Sequence, residues 1–281
     1  MITLTELIDT HKLIEQQPAH IFGSAPSVRN AKKIPLIGIK IGIGDMPWRA
    51  PEFGPYNYWV TSNTWFPLPW NKKHNKIIEN THAKVLISSI CANSENGKDN
   101  LNLIISELEK LSDSSNVVLY DHRHISSKYC DNYKDEPCCI LSKHFNLGDT
   151  IQDMLATFTN GNCKINISTS AVVNSLILAI LLGCNPIYIH GIEIPQKMSE
   201  YKYYKNWKNT NGIKHRVLLL LQQYLPFYRS LKTDFSGEYK KELLNIFSLI
   251  GKTAARSHIQ IFSTSEASPI NQLSGYIYLS P

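Results

Sequence analysis

The sequence has few of the features that mark secreted or membrane-spanning proteins. It has 281 residues and six cysteines, at positions 91, 130, 138, 139, 163 and 184, with no C-x-x-C pair. This sparse pattern predicts reduced thiols rather than a disulfide framework. The longest apolar run, Ser175 to Cys184, is shorter than the roughly 20 residues that a membrane-spanning helix needs. No basic start followed by an apolar segment opens the chain. We therefore expect a cytoplasmic protein.

Several ligand motifs are also missing. The chain contains no D-x-D pair of the kind that holds a divalent cation beneath a nucleotide diphosphate. It has no Walker loop and no G-x-G-x-x-G, which disfavours a dinucleotide. His122 and His124, with the cysteines at 130, 138 and 139, lack the spacing of a zinc site. No nucleic-acid motif accompanies the Lys- and Tyr-rich segment 201–208, so nucleic acid is not an expected partner.

The charge balance is mildly basic. Lys and Arg number 29 against 23 Asp and Glu, which gives a formal net charge of +6. Such a surplus favours anionic partners such as nucleotides and phosphosugars, and leaves peripheral contact with an anionic membrane face open, including the inner face of the cell membrane. The surplus also has a simpler interpretation, which is that it keeps the protein soluble.

Short apolar strands alternate with amphipathic helices along the chain. Strands are predicted at 19–22, 35–43, 58–61, 84–89, 116–120, 186–190 and 258–262. Helices are predicted at 3–16, 101–111, 146–159, 170–182 and 238–255. The alternation predicts one domain over residues 1–281, a three-layer α/β/α sandwich around a mostly parallel, Rossmann-like sheet. A Tyr- and Lys-rich segment at about 195–235 breaks the rhythm and is predicted to be a lid insertion.

Two segments at predicted strand or helix ends are suited to an anionic ligand. The loop Gly23-Ser-Ala-Pro-Ser27 would let phosphate or sugar oxygens approach backbone N–H groups, and it equally fits a tight turn. Ser168-Thr169-Ser170 precedes the apolar helix, where it could bind an anion or cap the helix. Ligands of open parallel sheets bind beyond the carboxyl ends of the strands, so this edge is the predicted site.

Together these blocks resemble a known family pattern, in which a G-x-G-P-S loop precedes a T-S-G/A triplet and then G-x-x-x-I-x-L-x-G-x-D/E. The matching stretches are Gly23 to Ser27, Thr169 to Ala171, and Gly183 to Glu193. The arrangement is similar to the family 42 bacterial sialyltransferases and the wider group around them, which includes pterin diphosphokinase-like and flagellin-modifying proteins. The loop departs from the sialyltransferase pattern at Ser24 and Ala25, where that family has Asn and Gly.

The resemblance implies transfer of an acidic sugar from a CMP-linked donor to a glycan acceptor, without a metal or other cofactor. The implied substrate-binding residues are Gly23, Ser24, Ala25, Ser27, Asp45, Asn63, Thr169, Ser170, Ala171, Glu193, Ser263 and Ser265. Tyr201 and Tyr204 are implied to contact the leaving phosphate, and the stretch from Ser263 to Ser265 to line the cytidine pocket.

His215, inside the insertion, is the best candidate for the catalytic base. A histidine there could reach an acceptor hydroxyl, and its ordinary pKa suits proton removal. His190, at a strand end, is the alternative base, although a buried or positioning role fits it better. The predicted function is therefore a metal-independent glycosyltransferase with His215, Tyr201 and Tyr204 as catalytic residues. A pterin-type diphosphokinase using ATP and magnesium, and a non-catalytic nucleotide-sugar-binding protein, remain as alternatives.

Overall fold

The computed structural model describes residues 2–3, 7, 16–44, 46–61, 84–88, 117–120, 170–194 and 237–281. The strands are β1 (Ile2–Thr3), β2 (Ala19–Phe22), β3 (Ile39–Ile43), β4 (Tyr58–Thr61), β5 (Lys84–Ser88), β6 (Val117–Tyr120), β7 (Ile187–His190), β8 (Ile261–Ser263) and β9 (Tyr276–Tyr278). The α-helices are α1 (Met46–Arg49), α2 (Ala171–Leu181) and α3 (Gly237–Arg256), and the 3-10 helices are η1 (Pro26–Lys33), η2 (Pro51–Phe53) and η3 (Pro269–Gln272).

Within these described ranges the strands form one sheet in the order β1-β6-β5-β4-β3-β2-β7-β8-β9, and every pairing is parallel. From β2 the chain adds β3 to β6 on one side, and it later adds β7 to β9 on the other. The two directions of winding meet between β2 and β7, which lie side by side with Phe22 in register with His190. In open parallel sheets such a reversal opens a crevice at the carboxyl ends of the strands.

One face of the sheet is aliphatic and carries the main core. Successive strand side chains point to opposite faces, so Ala19 and Ile21 of β2 lie on the same face as Ile187 and Ile189 of β7. This face packs with α2, whose residues from Val173 to Leu181 are all buried, and with the apolar side of α3. A helix that is apolar nearly all round, as α2 is, requires such complete cover.

The opposite face of the same strands is aromatic. His20, Phe22, Tyr188, His190 and Phe262 form a continuous series of stacked rings, with centroids 4.8 to 6.5 Å apart. Phe53 of η2 stacks on Phe22 at 5.2 Å, and Tyr56 meets it edge-on at 5.6 Å. Both faces of β2 are therefore buried, as expected for a central parallel strand.

The predicted α/β fold with a parallel sheet is confirmed, and β2 and β4 have the predicted bounds. In the helix predicted at 3–16, Leu7 is helical, but the predicted start at Thr3 is wrong, because Ile2–Thr3 pairs with Val118 and Leu119 of β6 as an edge strand. The strand predicted at 258–262 lies at Ile261–Ser263 instead, and β9 follows it. The predicted lid at about 195–235 and the helices at 101–111 and 146–159 lie outside the described residues.

Candidate functional site

The candidate site lies where the carboxyl ends of β2, β7 and β8 meet. These strands are neighbours in the sheet, so the loops that follow them converge at one edge. The loop after β2 leads into η1, which contacts the end of β7. Three of the segments singled out in the sequence, around Gly23, Glu193 and Ser263, are therefore brought together at this edge.

Gly23 allows the loops after β2 and β7 to come unusually close. Its N–H donates to the His190 carbonyl at 2.7 Å, and the Ala25 N–H donates to the Gly191 carbonyl at 3.0 Å. A Cβ on Gly23 would lie 2.4 Å from the Gly191 carbonyl oxygen, and Gly191 itself has a φ of +66°. The structure therefore uses the N–H groups of Gly23 and Ala25 to join two strand ends, which corrects the expectation that these two groups face a ligand.

Ser27 joins the loop after β2 to the loop after β8. Its hydroxyl lies 2.6 Å from the Ser265 hydroxyl, although the two residues are 238 positions apart. Ser265 also accepts a hydrogen bond from the Ile192 N–H at 3.3 Å. The Asn30 side chain adds a bond to the Thr264 carbonyl at 2.9 Å. Ser265 thus connects three strand-end loops, and Ser27 and Ser265 were both predicted as substrate-binding residues.

The predicted residues differ in how far solvent can reach them. Ser24, Ser27 and Glu193 are half-buried, whereas Ser263 and Ser265 are buried. A ligand approaching the edge would therefore meet Ser24, Ser27 and Glu193 first, with Ser265 behind them.

The start of α2 supplies the other described part of the predicted site. Ser170 occupies the N-cap position with an extended backbone, φ −82° and ψ 110°, and its side chain makes no capping hydrogen bond. Ser175 donates its hydroxyl to the Ala171 carbonyl at 2.7 Å, inside the helix. Ser170 and Ala171 are half-buried, so both keep partial access to solvent.

A buried histidine pair lies directly beneath this edge. His190 ends β7, and its Nε2 lies 3.1 Å from Nδ1 of His20 in β2. His190 Nδ1 lies 2.9 Å from the Thr264 hydroxyl, and His20 Nε2 lies 3.1 Å from the Ile37 carbonyl. Both rings are completely buried. His190 therefore has the buried place that its sequence context favoured.

Burial keeps both imidazoles neutral. The pKa of His20 falls from 6.5 to about 4, mainly because burial desolvates the ring; the hydrogen bond to the Ile37 carbonyl raises this pKa and the charge of Lys40 lowers it. Desolvation, with His20 as a second cause, also holds the pKa of His190 well below its ordinary value. A neutral histidine that cannot reach solvent is poorly placed to take a proton from an acceptor hydroxyl.

Several predicted residues lie outside the described ranges. They are Asp45, Asn63, Thr169, Tyr201, Tyr204 and His215, together with the histidines and cysteines considered for zinc between 122 and 139. Within the residues that the structure does describe, no group of three or more His, Cys, Asp or Glu side chains could hold a metal ion. In that same part of the chain, no helix is both long and apolar enough to cross a bilayer.

The sequence did not single out His20 or Asn30. Period-two alternation in β2 places His20 and Phe22 on one face, and the parallel partner strand places Tyr188 and His190 on the same face. That pattern was the available signal for a buried ring cluster. Nothing local to Asn30 indicated its bond to the loop after β8.

Comparison with known proteins gave matches among solved structures alone, since no family model and no curated protein matches. A sialyltransferase CST-II structure with a trisaccharide acceptor and CMP has 16% identity, a TM-score of 0.46, and covers 92% of this chain and 86% of that one. CstII from Campylobacter jejuni with CMP-3FNeuAc has 14% identity, a TM-score of 0.46, and covers 95% and 87%. CstII from the same organism with cytidine-5'-monophosphate has 14% identity, a TM-score of 0.45, and covers 92% and 84%. These values are too low to assign roles to residues of this chain.

Proposed function

We propose that the protein is a glycosyltransferase that binds a nucleotide-linked sugar, with CMP as the nucleotide, across the carboxyl ends of β2, β7 and β8. The observation that carries this proposal is the Ser27–Ser265 contact, which joins two segments that the family resemblance implies to bind the donor. Open parallel sheets bind their ligands at this edge and at the point where the winding reverses.

The half-buried groups described above are suited to a nucleotide sugar. The hydroxyls of Ser24 and Ser27 can donate to and accept from ribose or sugar hydroxyls. The α2 N-terminus at Ser170 carries the positive end of the helix dipole, which favours a phosphate. Together these groups support a donor that has one phosphate and several hydroxyls.

The proposed transfer needs no metal ion. The acceptor hydroxyl attacks the anomeric carbon of the sugar while the bond to the CMP oxygen breaks, and CMP leaves with that electron pair. A base takes the acceptor proton, and hydroxyl donors stabilise the charge that develops on the leaving phosphate. We propose His215 as the base and Tyr201 and Tyr204 as the donors, all three from outside the described residues.

Ligand-dependent thermal shifts test the nucleotide preference directly. Purified protein is heated with CMP, CDP, UDP or ATP, each with magnesium and with excess chelator. We expect CMP to raise Tm equally in both conditions. Stabilisation by ATP alone, and only with magnesium, would favour phosphotransfer and contradict the proposal.

A matched pair of serine variants tests the position of the site. Ser27→Ala should weaken CMP binding, because it removes a half-buried hydroxyl at the carboxyl edge. Ser257→Ala removes a half-buried hydroxyl between α3 and β8, at the amino end of that strand, and should leave CMP affinity unchanged. Equal effects of the two variants would place the site elsewhere.

Turnover separates the enzyme from a binding protein. His215→Ala should reduce transfer about 10²–10⁴-fold while CMP affinity stays nearly intact. Tyr204→Phe should reduce transfer by as much as about 10²–10³-fold and also weaken donor binding. CMP binding with no transfer from CMP-linked acidic sugars to any glycan acceptor would instead identify a non-catalytic nucleotide-sugar-binding protein.

A further inference from the structure

The buried contacts beneath the site form one continuous hydrogen-bond chain. It runs from the Ile37 carbonyl to His20, from His20 to His190, and from His190 to the Thr264 hydroxyl, over distances of 3.1, 3.1 and 2.9 Å. His20, His190 and Thr264 are each 0% exposed. No bulk water therefore competes for these bonds, and an unmade bond here would be costly.

The direction of the chain follows from its fixed end. A carbonyl oxygen can only accept, so His20 donates through Nε2 to Ile37. A neutral imidazole has one donor and one acceptor, so His20 Nδ1 accepts from His190 Nε2. His190 Nδ1 is then an acceptor in turn, and the Thr264 hydroxyl donates to it. The neutral state of both rings, which burial favours, is the state that this order requires.

Thr264 is the residue through which the chain reaches the candidate site. Its N–H donates to the Ile189 carbonyl at 3.0 Å, and its carbonyl accepts from Asn30 at 2.9 Å. The next residue, Ser265, contacts the Ser27 hydroxyl and the Ile192 N–H. An alternative bond from the Thr264 hydroxyl to the Ile189 carbonyl is longer, at 3.4 Å. The shorter bond to His190 therefore fixes the Thr264 side chain.

We propose that His190, held in one tautomer by His20, is a positioning residue that fixes the Thr264–Ser265 segment, and through it the loops after β2 and β7 that form the candidate site. His190 and His20 act from below the sheet edge and touch no ligand. The effect on CMP binding rests on the proposed function, whereas the tautomers and the position of the segment do not.

Histidine-ring and backbone 15N NMR tests the chain without any ligand. At pH 7 both rings should be neutral and protonated at Nε2. The two neutral tautomers give distinct ring-nitrogen shifts, so the spectrum shows which nitrogen carries the proton. Thr264→Val removes the hydroxyl at nearly constant volume. It should shift the His190 Nδ1 signal and the backbone amides of Ser265 and Ile192. Thr264→Ser keeps the hydroxyl and should restore all three signals to their wild-type positions. A wild-type His190 ring protonated at Nδ1 would overturn the proposal.

Binding measurements test the consequence for the site. Well below the Tm of every variant, Thr264→Val should raise the Kd for CMP about 3- to 10-fold, the size of one neutral hydrogen bond, and Thr264→Ser should restore it. Thr253→Val makes the same change at a buried threonine of α3 and should leave the Kd unchanged.

Failure of the positioning role and failure of the proposed function would give different results. A lower Tm with an unchanged Kd in Thr264→Val would show that the hydroxyl is only structural, which overturns the positioning role. Absence of CMP binding by the wild-type protein would instead overturn the proposed function. In that case the NMR comparison of Thr264→Val with Thr264→Ser still decides whether His190 fixes the segment.

Discussion

The two faces of the central strands differ sharply in chemistry, although alternate residues of the same strands form both of them. In β2, Ala19 and Ile21 face α2 and α3, whereas His20 and Phe22 face the ring series on the other side. On the aliphatic side, the β2 side chains Ala19 and Ile21 carry no polar atom and can only be packed. The aromatic face carries two imidazoles whose hydrogen bonds lead to the loop after β8.

The two faces contribute to stability and specificity in different ways. Burial of branched aliphatic side chains is non-directional and scales with the apolar area removed from water. Hydrogen-bonded rings fix orientation but depend on protonation and on every partner being present. We therefore expect substitutions on the aliphatic face to change stability alone, and substitutions on the aromatic face to change pH dependence and the geometry of the candidate site.

The largest effect is expected on the aliphatic face. Ile21→Ala removes a fully buried side chain at the centre of the sheet and should lower the free energy of unfolding by about 2–5 kcal/mol. Urea denaturation followed by circular dichroism measures the loss. Ile277→Ala, on a side chain that is 46% exposed in β9, should cost much less. Equal losses at the two positions would contradict the assignment of the core.

Acid should lower the stability of the folded protein through the two histidines of the aromatic face. Because the folded pKa of His20 is about 4 and its ordinary value is 6.5, the unfolded chain binds more protons between these values. Stability is therefore lost as the pH falls from 6.5 to about 4, by about 3 kcal/mol from His20, and His190 adds loss in the same direction.

The contribution of the His20–His190 pair is tested by a difference measurement. The free energy of unfolding is measured by urea titration from pH 7 to pH 4 for the wild-type protein and for His20→Phe. The variant keeps a ring for stacking but cannot titrate, so its curve should fall less steeply. Parallel curves for the two proteins would show that His20 does not carry the acid sensitivity.

A smaller loss of stability is expected where the loops after β2 and β7 contact each other at the edge of the sheet. Gly23→Ala would place a Cβ 2.4 Å from the Gly191 carbonyl oxygen, so a strand end must shift, at a cost of about 1–3 kcal/mol. Gly183→Ala, at a φ of +74° with no atom within 4 Å of the new Cβ, should cost about 1 kcal/mol from the backbone alone. CMP affinity should fall in the first variant only. A normal CMP affinity in Gly23→Ala would show that the contact between Gly23 and Gly191 does not shape the site.

Much of the sheet could be predicted from the sequence because its strands are short apolar runs bounded by turn residues. β2 and β4 have the predicted limits, and the order of strands and helices indicated the parallel sheet. β9 was missed because Tyr276–Tyr278 has only three residues, two of them exposed. Edge strands as short as Ile2–Thr3 depend on their partner strand and leave too little local pattern to detect.

The location of the candidate site could also be predicted, but its internal contacts could not. A loop of small residues after a strand marked the segment around Gly23, the family resemblance marked Ser265, and the structure brings both to one edge. The role of Gly23 was misjudged because the carbonyl that it approaches belongs to Gly191, far along the chain. The bond between His20 and His190 had no local signal either, since the two residues are 170 positions apart in the chain.

The smallest change in stability is expected at Lys32, which lies beside the aromatic face. The Lys32 ammonium lies 3.7 Å from a Glu52 carboxylate oxygen and 5.7 Å from the centre of the Phe53 ring, which itself stacks on Phe22. With 55% of the Lys32 side chain exposed, water and salt screen both contacts, so each contributes about 1 kcal/mol at most. Lys32→Met keeps an apolar stem against Phe53 and should change the free energy of unfolding by less than about 0.5 kcal/mol, whereas Lys32→Ala should cost slightly more. Urea denaturation in low and in high salt measures both variants. A loss in Lys32→Met as large as that in Ile21→Ala would mean that the aromatic face, like the aliphatic one, contributes mainly to stability, and the contrast between the faces would fail.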